Sequence, residues 1–326
     1  MHTIKNVFSI IVLFAGIALG TGCGKPSHAP LRIGMNPWPG YEALALAQEK
    51  GFFAAAGINV QLIEYSSLGD VLRAFLKGQI DGMTATLIEA LQACAQLTHC
   101  PQVTLVADFS NGMDVLVAHK AIPTLAELRG QRIAVEPGSL GIFMLARALT
   151  RVHMTLADVT LVSMDQMRMP QALATGAVEA AVTYPPALLE IHQQGGTTTL
   201  FTSADIPEEV IDVVALTPQA LAARPGIAAG LRRAWDMALR YMHDHLDDAY
   251  RFMAARERIS PEDFRQALTG IRVLDSRHQH RLLTTGTLLQ TIKSVDQVLR
   301  DTGQLSGPDR TADLLALTQV ERQMER

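Results

Sequence analysis

A strand–helix–strand order that runs its course and then starts again is the strongest constraint on this chain. Leu31 to Met35 (LRIGM) reads as a short apolar strand, and Glu42 to Lys50 has helical composition closed by Gly51, as a C-cap closes a helix. Ile58 to Tyr65 (INVQLIEY) alternates apolar and polar residues in the manner of a strand. Ser67 with Asp70 predicts a capped helix through Lys77, and Gly78 to Thr84 adds a turn and a third strand. This β-α-β-α-β grammar belongs to a mainly parallel sheet. After Asn111-Gly112 it begins again: strands are expected at Asp114–Ala118, Arg132–Glu136, Val159–Met164 and Val178–Thr183. Helices are expected around Leu125, from Ser139 towards Val152, over Gln171–Thr175 and after Tyr184-Pro185-Pro186. Two similar units in series argue for two α/β lobes, and 326 residues are enough for both.

From Gln219 onward the pattern is helical. Ile227, Leu231, Trp235, Ala238 and Met242 share one helical face. Ser260-Pro261-Glu262-Asp263 is a helix start with a cap, a proline and first-turn acids, and one last long helix is expected over Leu282–Leu299.

The first residues have a different character. His2 and Lys5 precede an apolar run from Val7 to Leu19, which has the length of a secretory h-region and falls short of a membrane span. It ends in Leu19-Gly20-Thr21-Gly22-Cys23, which resembles a bacterial lipobox with Cys23 as the lipidated residue; Gly20 departs from the usual Leu. The alternative is an ordinary signal cleaved nearby, with Cys23 incidental. Residues 1–23 are therefore read as a lipoprotein signal and 24–30 (GKPSHAP) as a tether. Cys94 and Cys100 are the other two cysteines; in an oxidising compartment such a close pair favours a disulfide, and the spacing matches no zinc signature.

With these motifs laid out, the sequence resembles the nitrate/sulfonate/taurine-type substrate-binding proteins of ABC transporters, the NMT1/THI5-like family. The carriers are Asn36-Pro37-Trp38-Pro39-Gly40-Tyr41-Glu42, Gly51-Phe52-Phe53 with Gly57-Ile58, Gly78 to Gly82, Leu125 to Val135 and Gly138-Ser139. The resemblance implies a two-lobed type II periplasmic-binding fold, with two crossover strands, C-terminal helices and a solute in the cleft. Lobe 1 is expected from residues 31–112 and 212–326, and lobe 2 from 113–211. The candidate crossovers are Asn111–Asp114 and Glu209–Val213.

In open α/β sheets ligands bind beyond the carboxyl ends of strands, near helix N-termini. That rule places Asn36, Trp38, Tyr41, Ser66, Ser67, Thr84 and Thr86 at one mouth, facing Gly138, Ser139, Asp165 and Tyr184 from the other lobe. Each has a plainer explanation as well: Trp38 and Tyr41 as turn packing, Ser67 as a helix cap, Asp81 as a turn-former. The segments expected at the cleft carry acids (Asp114, Glu136, Asp165, Asp212) and almost no bases. A sulfonate or nitrate could still be held by backbone amides, but an acidic cleft favours a neutral or amine-bearing solute such as an amine, an aminopyrimidine or an amino-sulfonate. Asp114 and Asp212 are its expected acceptors, unless these acids only cap helices or bind neighbouring hydroxyls.

With a net charge of −4 and no basic stretch, the chain lacks the electrostatic footprint of nucleic-acid binding. No Gly-x-Ser-x-Gly elbow or His-Glu-x-x-His motif is present, and nothing resembles the cysteine-rich segment of the fungal pyrimidine synthases, so an enzyme is the lesser alternative. No cofactor or metal is expected, and His278 and His280 sit in a polar run. The expected setting is the periplasm or cell envelope, with a lipid anchor, a monomeric state and an ABC permease as partner. A sensory receptor in place of the permease is the other reading.

Overall fold

A computed structural model describes residues 29–315. The signal, lipobox and Cys23 lie outside these residues. The chain opens with β1 (Leu31–Met35), α1 (Glu42–Glu49), α2 (Phe52–Ala55), β2 (Val60–Glu64), α3 (Leu68–Leu76), β3 (Gly82–Thr86) and α4 (Leu87–Gln96), then enters β4 (Gln102–Ser110). A second series follows: β5 (Val115–His119), β6 (Arg132–Val135), α5 (Leu140–Thr150), β7 (Thr160–Ser163), α6 (Met169–Ala174), β8 (Ala180–Thr183), α7 (Ala187–Gln194) and β9 (Thr197–Thr202). The chain then returns through β10 (Ile211–Leu216) to α8 (Pro218–Ala223), α9 (Ile227–Asp244), α10 (Leu246–Glu257), α11 (Pro261–Thr269), β11 (Ile271–Val273), α12 (Ser276–Thr284) and α13 (Thr287–Asp301).

Two sheets result. The first has the order β11-β4-β10-β3-β1-β2 and the second β7-β6-β8-β5-β9. β1 runs parallel to β2 and β3, while β10 lies antiparallel between β3 and β4. The second sheet repeats this scheme, with β6 parallel to β7 and β8 and β5 antiparallel to β8 and β9. In each, the strand that has just crossed over runs antiparallel to both of its neighbours. Helices cover both faces of the central strands, and every residue of β3, β4 and β10 is buried. That is why β10 carries the unbroken apolar run Val213–Leu216 rather than an alternation.

The local signals act as their chemistry requires. Ser67 Oγ accepts the N–H of Asp70 at 3.3 Å to start α3, and Ser260 Oγ accepts that of Asp263 at 3.0 Å to start α11. Gly51, at φ +72°, takes the left-handed turn between α1 and α2. Three expectations need correction. The long C-terminal helix is two helices, because Gly286 adopts φ +77° and breaks the run between α12 and α13. The supposedly all-helical region contributes β11 to the edge of the first sheet. The return crossover occupies the stretch after Thr202, and Asp212 and Val213 already belong to β10.

The two passages between sheets lie side by side. Ser203 N donates to Asp114 O at 2.8 Å, Gly112 N to Ser203 Oγ at 2.7 Å, and the Ser110 and Ser203 hydroxyls share a bond of 2.8 Å. No helix among the described residues is long and apolar enough to cross a membrane.

Helix α9 anchors the C-terminal helices through Trp235, which is fully buried and donates from Nε1 to Leu274 O at 2.7 Å. Trp235→Ala should cost about 3–5 kcal/mol of stability, measured by urea unfolding, because it leaves a cavity and removes that donor.

Candidate functional site: an acidic cleft between the two sheets

The loop after β1 is the cornerstone of the site. Its residues Pro37 to Gly40 bring Trp38 against β4, where Nε1 lies 3.4 Å from both carboxylate oxygens of Asp108. Gly40 is what allows this: a Cβ there would stand 2.1 Å from Asp108 Oδ2 and 2.5 Å from Trp38 Nε1. Tyr41, at the start of α1, donates its hydroxyl to Asp212 Oδ1 on β10. Behind it, Arg256 of α10 holds Glu42 at 2.7 Å and Glu64 at 2.6 Å, tying α1 to the helical layer.

From the second sheet comes Tyr184, after β8, whose ring meets Trp38 edge-on with centroids 6.0 Å apart. Its hydroxyl accepts the N–H of Leu68 at the start of α3, at 3.5 Å. Between these aromatics is a small cavity of about 10 Å³ lined by Asn36, Trp38, Tyr41, Leu68, Thr86, Asp114, Leu140, Tyr184 and Asp212. Among the described residues, no Arg, Lys or His lines it.

Seven of the expected site residues therefore meet: Asn36, Trp38, Tyr41, Thr86, Asp114, Tyr184 and Asp212. The others lie elsewhere. Ser66 is exposed and bonded to Asp70 at 2.8 Å, and Asp165 is exposed ahead of a 3₁₀ turn. Gly138 is exposed at φ +68°, and Thr84 is buried inside β3. Ser67 and Ser139 are buried as the caps of α3 and α5 rather than as cavity walls.

Two glutamates and an aspartate had not been singled out as ligand residues, and they organise the closed cleft. Glu89 of α4 accepts the N–H of Leu140, the first residue of α5, at 2.7 Å. Glu136, just after β6, accepts the N–H of Gly69 in the first turn of α3, at 3.1 Å. Each sheet's helices thus receive a carboxylate from the other, in the position where a helix N-terminus favours negative charge. Gly69 is required for the second contact, since a Cβ there would lie 2.8 Å from Glu136 Oε1. The third residue, Asp108, faces Asp212 directly across the β4–β10 ladder.

Burial dominates the electrostatics. It pushes the Asp108, Asp114 and Glu136 carboxyls up to about 7, and raises Glu89 and, further, Asp212, which also feels Asp108 and Asp114. Asp108 and Asp212 hydrogen-bond to each other. As two ionised carboxylates they would offer acceptors only, and Asp212 Oδ2 finds no donor nearby. A proton shared by the pair removes that conflict.

Cys94 and Cys100 are brought together at the end of α4, with their Cα atoms 4.3 Å apart and their sulfurs in contact. Asp313 is close enough to complete a three-ligand group. It is also paired with Arg310 at 3.0 Å, and Arg310 Nη1 donates to Cys94 O and Leu97 O at 2.6 and 2.8 Å.

Two α/β sheets joined by paired crossovers around a closed cleft define the periplasmic-binding-protein fold, and solved structures of that fold superpose on this chain. The alkanesulfonate-binding protein SsuA of Xanthomonas axonopodis pv. citri, bound to MOPS, matches with a TM-score of 0.75 at 17% identity, covering 88% of this chain and 98% of that one. The chain belongs to the family described as NMT1/THI5 like, whose sequence profile matches residues 38–249. A curated protein of Brucella abortus named as a binding protein is 26% identical over 172 residues, 51% of each chain. A Haemophilus influenzae protein named for thiamine biosynthesis is 26% identical over 188 residues, 56% of this chain and 57% of that one. The matched segments thus span just over half the length of these curated relatives.

The raised carboxyls set the pH dependence. A group whose folded-state pKa exceeds its unfolded value stabilises the fold below the unfolded value, and that stabilisation is lost as pH rises through the folded one. For Asp108, Asp114 and Glu136 that window runs from about 4 to about 7. The melting temperature of the ligand-free protein should therefore fall between pH 5 and pH 8, and Asp114→Asn should flatten the fall.

Proposed function

We propose that this protein is the extracytoplasmic solute-binding component of an ABC importer, capturing a small polar molecule of the amine, aminopyrimidine or sulfonate class between its two sheets. The observation that carries the reading is the cavity itself. Residues from strand ends of both sheets and from the first crossover converge on it, and paired aromatics form its walls. The ligand-binding residues are Asn36, Trp38, Tyr41, Thr86, Asp114, Tyr184 and Asp212. At about 10 Å³, against the roughly 300–1,000 Å³ of ordinary ligand pockets, the cavity is nearly shut as it stands, so a solute enters with the lobes apart. Lobes built from residues 31–112 with 212–326 and from 113–211 would close on it by a hinge at the two crossovers, giving a membrane permease one closed shape to recognise. The protein's part is capture and delivery, without catalysis.

Thermal unfolding against a library of amines, pyrimidines, sulfonates and inorganic anions tests this. A ligand at a hundredfold its Kd adds about 2.7 kcal/mol, a rise of several degrees. Gly40→Ala should abolish the rise by driving the Trp38 loop off Asp108. A library without a single hit, including transport-type metabolites of each class, would count against the binding role.

Lipidation at Cys23, periplasmic or envelope location and a Cys94–Cys100 disulfide complete the proposal. Cys23→Ala should move the protein from the membrane to the soluble fraction, because a single short tether leaves attachment to the acyl chains. The denatured wild-type protein should yield no free thiol from Cys94 or Cys100 until a reductant is added.

A further inference from the structure

Resting on the solute-capture reading, we infer that the cleft is a cation receptor: Asp212 and Asp114, with the amide oxygen of Asn36, accept a positively charged N–H group of the solute, and its entry expels a proton held in the cleft.

The inventory of donors and acceptors around the cavity carries this. Asn36 Nδ2 donates to Pro37 O at 2.9 Å, while Oδ1 is buried with no partner. Asp212 is 3% exposed, its Oδ1 is engaged by Tyr41, and its Oδ2 has no donor. Asp114 is 3% exposed and lines the same cavity. The Thr86 hydroxyl is turned to Glu89, and the Trp38 indole N–H to Asp108. The lining therefore offers a surplus of acceptors, and Tyr184 is left to supply a hydroxyl donor. The walls agree with the polar groups, since aromatic faces such as those of Trp38 and Tyr184 attract cations.

An anion would have to use the helix N-termini that border the cavity at Leu68 and Leu140. Both starts are already served by the chain's own carboxylates, Glu136 on α3 and Glu89 on α5. A sulfonate entering here would meet the carboxyl groups of Asp114 and Asp212 and no cation among the cavity walls.

The charged and titratable groups that bear on the site are Asp108 of β4, Asp212 of β10, Asp114 between β4 and β5, Glu89 of α4, Glu136 after β6, Tyr41, Tyr184, and Arg73 of α3, which acts on Glu136. Without ligand, burial keeps protons on part of this set. A cation restores the balance of charge when a proton leaves, so binding and proton release are linked, and affinity rises with pH through the neutral range.

Acetamidinium, acetamide and acetate form a test series of one shape and three charges. Calorimetry on the purified protein, repeated in buffers of different protonation enthalpy, counts the protons released. The inference expects acetamidinium or the larger benzamidinium to bind in preference to acetamide and acetate. It also expects affinity to rise by up to about tenfold per pH unit between pH 6 and pH 8 for each proton released. Asp212→Asn and Asp114→Asn should each weaken the cation by about tenfold or more. Preferential binding of acetate, ethanesulfonate or nitrate would overturn the inference and leave the solute-capture reading intact. A cation affinity independent of pH, or unchanged in both variants, would also overturn it. Silence from every charge class in this series and in the wider library would remove both readings together.

Discussion

Removal of carboxyl groups from water is the constraint around which this molecule is organised. Asp108, Asp114, Asp212, Glu89 and Glu136 are all at most 3% exposed, and all gather where the two sheets meet. An isolated buried carboxylate costs several kcal/mol, so each must find donors or keep a proton. Glu89 and Glu136 solve the problem reciprocally, each receiving a backbone N–H from the first turn of a helix that packs on the other sheet. Asp108 and Asp212 solve it together, using the Trp38 indole, the Tyr41 hydroxyl and a shared proton. The closed arrangement of the sheets supplies these partners at once and leaves only Asp212 Oδ2 and Glu136 Oε2 of the five groups without one.

The loop from Asn36 to Tyr41 shows how narrow the tolerances are. It places an indole over one aspartate and a phenol against another, and Gly40 leaves the only room in which Asp108 can approach. Arg256 then fixes the start of α1 from outside the cleft by pairing with Glu42 and Glu64. The C-terminal helices thus stabilise a loop some 200 residues before them in the chain. Without that support, the aromatic wall would be an ordinary mobile turn.

Much of this was legible in the sequence because it depends on local rules. Ser67, Ser139 and Ser260 announce helix starts, Gly51 a helix end, and the repeated strand–helix order a pair of parallel sheets. Seven of the site residues could be placed from strand ends alone, including Asp114 and Asp212. Asp108 could not, because it sits within the nine-residue run QVTLVADFS and its meaning depends on which strand lies next to β4. That neighbour, β10, arrives a hundred residues later. Glu136 is legible as a cleft acid, but its contact and that of Glu89 are hidden for a related reason: their partners are backbone N–H groups of helices on the opposite sheet, which no spacing within one segment encodes. Ser66 and Asp165 follow strands as expected, yet both side chains are exposed after β2 and β7, which are edge strands of their sheets.

Asp114 lies on one passage between the sheets, just before β5, and Asp212 is the second residue of β10, where the return passage ends. The same residues therefore belong to the wall and to the joint. In most receptors, taste for a new ligand can drift by exchanging side chains on a rigid frame. On the proposed reading, an exchange that altered the preferred charge would fall at the joint of the halves as well. Descendants of this protein would find it easy to change the size or shape of their cargo, and hard to change its sign.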